Sequence, residues 1–137
     1  MQIPLFKAQT EWVKPEEFPD LRQADTIAID LETSDPDLKS RGSGSVIGNG
    51  KVVGISVATE GYQGYFPFDH EGGGNLEKSK VIQWFTDVCE CPADKVFHNA
   101  MYDVCWIRAM GIKINGNIYD TMIAASLVDE NRMRYDL

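Results

Sequence analysis

Asp30 and Glu32 stand two residues apart, with Leu31 between them, at the end of the apolar run Thr26-Ile27-Ala28-Ile29. Side chains alternate across a β-strand, so this spacing puts both carboxylates on one face and Leu31 on the other. Two acids side by side at the end of a core strand repel each other, and a divalent cation between them is the commonest relief. A second acidic site, Asn99-Ala100-Met101-Tyr102-Asp103, lies downstream at the start of an expected helix. Asn99 and Asp103 are one helical turn apart on a shared face. Together the two sites point to a metal-dependent centre for phosphodiester cleavage.

Each of these residues also has a plainer role. Asn99 suits the cap of the helix that follows it, and Asp103 suits the positive end of that helix. The company of Asp30 and Glu32 is what raises ligation above capping. Asp120, ahead of another apolar helix, is explained by capping and stays outside the metal set. His98 reads as a satisfied core or edge histidine, and His70 as an exposed residue of a Gly-rich turn. Lys39, Arg41 and Lys51 read as solvated surface. Cys89-Glu90-Cys91 lacks the two-residue spacer of zinc sites, and no second Cys/His pair follows at the required distance, so these cysteines read as structural.

The elements that must hold these side chains follow from the pattern of apolar residues. Residues 1–25 form an N-terminal arm, anchored by Trp12 and Phe18, in which Lys14-Pro15-Glu16-Glu17 is expected to open a short helix. Thr26–Leu31 is the first strand. Ser34–Gly50, rich in Gly, Ser and Asp, is expected to be a long loop. Lys51–Thr59 and Gly64–Phe68 are strands around a Glu60-Gly61 turn, Pro67 marking an edge or a strand end. These three strands should form an antiparallel meander. Leu76–Val88 has helical periodicity with Asn75 as its cap. A strand over Lys95–His98, a helix over Ala100–Met110 ended by Gly111, a strand within Ile112–Ile118 and a helix over Thr121–Val128 complete the order. Asn131–Leu137 begins a further element. Three strands, then alternating helices and strands, predict an α/β fold with a mixed sheet of the ribonuclease H-like kind, incomplete at the C-terminus.

The chain has 137 residues, 43% hydrophobic and 25% charged, which suits one domain spanning 26–137 behind the arm. No apolar stretch reaches the length of a membrane span, and a cytoplasmic protein with reduced thiols is expected. The net charge of −8 excludes a general nucleic-acid coating role, which needs a basic surface. It leaves room for an enzyme that grips one strand end through metals and local contacts.

Ala28-Ile29-Asp30-Leu31-Glu32-Thr33 resembles the first motif of the DEDD-type (DnaQ-like) 3′–5′ exonucleases, the proofreading superfamily. Phe97-His98-Asn99-Ala100-Met101-Tyr102-Asp103 resembles the second motif. The run from Asp120 to Leu127 resembles the next helix in the exonuclease domains of family A DNA polymerases, and Tyr65-Phe66-Pro67 with His70–Asn75 resembles phage-type members. The resemblance implies two Mg2+ or Mn2+ ions about 3.5–4 Å apart. Asp30 would touch both, Glu32 would hold the nucleophile-side ion and contact the terminal 3′-OH, and Asp103 would support the second. It implies a single-stranded or frayed DNA 3′ end as substrate, released as nucleoside monophosphates, and a polymerase domain joined on the C-terminal side. Leu31, Thr33, Asn99 and Tyr102 are the substrate-contact candidates by position. The third motif, a Tyr or His followed three residues later by Asp, is not found after the second. Tyr65 and Asp69 have the right spelling but precede it and lie on a strand. With three of four acids, the chain is expected to be a weak or inactive nuclease on its own. The alternatives are an RNA-trimming enzyme of the ribonuclease D type, and a non-catalytic module binding nucleic acid or a partner.

Overall fold

In the first strand, β1 (Thr26–Ser34), residues alternate between exposed and buried as the sequence pattern requires. Ile27, Ile29 and Leu31 enter the core, while Ala28, Asp30 and Glu32 face outward. β1 sits at the centre of a five-stranded sheet in the computed structural model, which describes residues 12–128. The strand order is β3-β2-β1-β4-β5, with β2 at Lys51–Thr59, β3 at Tyr62–Pro67, β4 at Asp94–Phe97 and β5 at Ile118–Asp120. β1, β2 and β3 form the expected antiparallel meander, and β4 and β5 run parallel to β1. Pro67 ends the edge strand β3, where its missing N–H breaks no ladder.

Among the described residues, five helices accompany the sheet: α1 (Leu38–Arg41), α2 (Gly44–Ile47), α3 (Lys78–Glu90), α4 (Ala100–Ala109) and α5 (Thr121–Val128). Val81, Phe85 and Val88 of α3 and Ile107 of α4 share one core with Ile27, Ile29, Leu31, Ile55 and Phe66. Both helices therefore cover the same sheet face, as two successive right-handed crossovers require. The mixed α/β architecture is the ribonuclease H-like one expected.

Several local expectations need correction. Lys14–Glu17 is a bend, not a helix. Here the chain is drawn out to deliver Phe18, which packs against both Phe66 and Trp84, and the Pro19 carbonyl, which accepts a hydrogen bond from the Trp84 indole. The segment 34–50 is not a plain loop but holds α1 and α2. Asp35 and Asp37 organise it: both Asp35 oxygens accept the Gly44 N–H, and Asp37 accepts from the Asn49 amide. Asn75 does not cap α3, which starts at Lys78 after Glu77; its side chain instead closes the Gly-rich turn by bonding the N–H and C=O of His70. The last strand is shorter and later than expected, at Ile118–Asp120. It follows Gly116, where φ is +80° and a Cβ would strike the Ala93 carbonyl. Residues 1–11 of the arm and residues 129–137, with Tyr135, lie outside the described residues.

Candidate active site

β4 pairs with β1 only from Thr26 to Ala28, so β1 runs on past the end of its parallel neighbour. The backbone of β1 beyond Ala28 is thus left open on that side. The start of α4 fills the gap, and the Asp103 carboxylate accepts the N–H of Leu31. A side chain from a distant helix thereby takes a ladder bond that a longer β4 would have made.

This placement brings the three predicted acids together. Asp30 and Glu32 are exposed on the outer face of β1, and Asp103, only 4% exposed, faces both from the α4 side. Burial first, and then the charge of Asp30, push the Asp103 carboxyl up to about 7, against the pull of the Leu31 N–H. Burial also raises Asp30, with His98 opposing it. One Asp103 oxygen, Oδ2, is buried without a hydrogen-bond partner. Among the described residues, no Lys or Arg pairs with any of the three acids. A buried, unsatisfied carboxylate oxygen facing two further acids is a donor set that fits a hard divalent cation. Among the described residues no three such donors are already gathered at metal-binding distance, so an ion would have to draw the side chains in.

Asn99 departs from the capping role expected of it. Its backbone is left-handed, φ +64° and ψ +62°, the one non-glycine with positive φ among the described residues, and its side chain makes no cap bond. The cap comes from Asp120, whose Oδ1 accepts the Asn99 and Met122 N–H groups and whose Oδ2 accepts the Ala100 N–H. One carboxylate thus serves the starts of both α4 and α5. Partial burial would raise it, but these N–H bonds outweigh burial and hold it low.

The substrate-contact candidates are placed unequally. Leu31 is 6% exposed in the core, so its side chain offers a ligand little. Thr33 and Tyr102 bond each other at 2.9 Å, and the Tyr102 hydroxyl also donates to Asp35 at 2.9 Å. They tie the end of β1 to α4 and to the segment that carries α1 and α2. His98 is only half satisfied, correcting the expectation. Its Nδ1 meets Thr121 Oγ1 at 2.9 Å, while Nε2 is buried without a partner. With Asp30, Tyr62 and Tyr65, it lines a groove of about 850 Å3 on the outer sheet face. Sequence reasoning missed this neighbourhood of Asp30. The adjacency of His98 to Asn99 was the available signal.

A family model described as 3′–5′ exonuclease matches residues 14–137. The chain belongs to the 3′–5′ exonuclease family. A DNA-directed DNA polymerase of Pseudomonas phage M6 is 36% identical over 145 residues, covering all of this chain and 22% of that protein. DNA polymerase I of Borreliella burgdorferi is 31% identical over 112 residues, covering 81% of this chain and 11% of that protein. This exonuclease chain thus spans about a fifth or less of the length of these relatives. Among solved structures, Brucella melitensis NrnC with bound Mg2+ has the same fold at a TM-score of 0.57 and 17% identity, covering 87% of this chain and 53% of that one. The membership that the two motifs implied is met, and exonucleases of this family are generally dependent on divalent metals. No helix among the described residues is long and apolar enough to cross a membrane.

Proposed function

We propose that this chain hydrolyses the terminal phosphodiester bond at the 3′ end of single-stranded or frayed DNA, releasing nucleoside monophosphates, as the proofreading region of a DNA polymerase. The observation that carries the reading is the meeting of Asp103 with Asp30 and Glu32, with one buried Asp103 oxygen unpartnered, in a chain of the 3′–5′ exonuclease family. Asp30, Glu32 and Asp103 would hold Mg2+ or Mn2+. Bound there, divalent cations supply Lewis-acid activation of water and charge neutralisation at the leaving oxygen. Asp30 and Glu32 present their carboxylates on an open face that a strand end can reach. Asp103 approaches from the buried side, where its charge is least screened and its attraction for a cation strongest. A polymerase region joined to this chain and a cytoplasmic location fit the relatives that it matches.

A 5′-labelled DNA strand incubated with the protein and Mn2+ is expected to shorten only slowly from its 3′ end, in single-nucleotide steps, the weak activity that three acids in place of four predict. Asp30→Ala should slow this at least about 100-fold, the scale of losing one electrostatic contact to the transition state. Shortening that survives Asp30→Ala would sink the assignment. An RNA strand of the same sequence, cut faster than the DNA, would replace it with the ribonuclease D-type reading.

A further inference from the structure

Tyr65 lies on β3, away from the two motifs, yet the sheet carries it to the acids. Asp30 pairs with Ser56, and Ser56 pairs with Tyr65, so the three form one row across the outer face. In the next row Glu32 pairs with Gly54. The Tyr65 ring leans from its own row into that one, over the place where Gly54 has no side chain. A Cβ at Gly54 would strike the phenolic oxygen and come within 2.7 Å of ring carbons Cε2 and Cζ. The Tyr65 phenol therefore rests beside Glu32, and burial together with the charge of Glu32 holds it above the usual tyrosine range.

The ring is held from both sides. Trp12 meets it edge-on at 6.2 Å and donates its indole N–H to the Tyr65 carbonyl at 3.4 Å. His70 meets it edge-on at 6.0 Å, and its Nε2 hydrogen-bonds the phenolic oxygen. His70 is fixed in turn by Asn75, which bonds both its N–H and its C=O. A surface turn gains nothing from such bracing unless the imidazole has a place to keep. Asp69, the other half of the Tyr-x-x-x-Asp spelling, points elsewhere and pairs with Lys51 and Lys78. The spelling is chance, but its tyrosine is not idle.

We propose that Tyr65, backed by His70, is a positioning residue for Glu32 in the exonuclease reaction. His70, protonated on Nε2, donates to the phenolic oxygen. That leaves the phenolic hydrogen free to point at the Glu32 carboxylate and fix its orientation toward a cation and the strand end. Gly54 is glycine because any side chain would evict the phenol. The proposal rests on the reading of Glu32 as a member of the metal centre.

Tyr65→Phe is expected to lower kcat on a DNA 3′ end about tenfold, the equivalent of one ordered hydrogen bond, with KM and melting temperature unchanged. His70→Leu should match it, and His70→Gln, whose amide can still donate, should restore activity to within about twofold of the parent. Gly54→Ala should cost as much as Tyr65→Phe, and the double variant no more than either, since both remove the same contact. In the metal-free protein, NMR should show the His70 Nε2–H tautomer and a displaced Glu32 carboxyl 13C resonance in Tyr65→Phe. A kcat within about twofold of the parent for Tyr65→Phe, or an unmoved Glu32 resonance, overturns the proposal. If instead Asp30→Ala leaves shortening intact, the exonuclease reading itself has failed, a separate outcome.

Discussion

Asp103 is where one side chain does the most. It completes the backbone of β1, meets the two acids on the strand, and leaves one oxygen without a partner. Its carboxyl, normally near 3.8, is pushed up to about 7. A carboxyl raised on folding binds its proton more tightly in the folded state, so its contribution to stability is complete below about pH 4. That contribution is lost as pH rises from there to about 7. The metal-free protein should therefore lose stability over this window. Asp103→Asn should flatten the loss and raise the melting temperature at pH 8, by about 3–6 °C per kcal/mol recovered. Thermal melts of both proteins between pH 5 and 8 check this. Parallel slopes would mean that the acids do not crowd Asp103. Asn99, held at φ +64°, is the second residue under local demand. Asn99→Gly should leave stability within about 0.5 kcal/mol of the parent, whereas Asn99→Val should cost about 1–2 kcal/mol, because a β-branched side chain resists the left-handed region.

At the scale of elements, the site depends on three ties between segments distant in sequence. Asp120 caps α4 from the start of α5, Thr33 and Tyr102 join β1 to α4, and Asp35 joins Tyr102 to the N–H of Gly44. Asp120→Ala removes the acceptor of the Asn99, Ala100, Met122 and Ile123 N–H groups at two helix starts. It should cost about 2 kcal/mol, at the upper end for a helix cap. Amide exchange should quicken at Asn99, Ala100 and Met122; exchange unchanged at Ala100 would show that the cap is not needed there. Tyr102→Phe breaks the second tie and the Tyr102–Asp35 bond of the third while keeping the ring. Chemical denaturation should show a loss of about 1–2 kcal/mol, and amides in 35–50 should lose protection.

Across the whole molecule, the two sheet faces divide the labour. One face is buried under α3 and α4 in a continuous apolar core, with Phe66, Phe85, Phe97, Ile27 and Ile107 almost fully covered. The other carries Asp30, Tyr65 and His98 around a groove, with Glu32 in a neighbouring row of the same face. The core also holds a cation. Lys95 on β4 has no exposed surface, and its ammonium donates to the carbonyls of Cys91, Ala93 and Asn115 without a carboxylate partner. Those carbonyls come from the end of α3, the turn into β4 and the approach to β5, so one ammonium ties together the two helix-to-strand connections. Lys95→Met should destabilise the whole fold by about 3 kcal/mol, since it strands three buried acceptors. Urea unfolding followed by fluorescence would measure it, and an unchanged midpoint would show that water can replace the ammonium. The net charge of −8 acts at this scale too, disfavouring loose contact with nucleic acid.

Runs rich in apolar and β-branched residues determined β1, β2 and the meander, and a strand's period of two determined the shared face of Asp30 and Glu32, because both follow from local geometry. The exonuclease motifs were likewise legible, since each lies within a few consecutive residues. The helix at Lys14–Glu17, the plain loop at 34–50 and the caps by Asn75 and Asn99 were misjudged, and all for one reason. A side chain's hydrogen-bond partner is chosen by what folding brings near, and local spacing shows only what it might reach along the chain. Asp120 reaching back to α4, Asp103 taking the N–H of Leu31, and Tyr65 leaning over Gly54 each join residues at least twenty positions apart or on different strands. Only the register of the sheet and the early end of β4 decided those meetings.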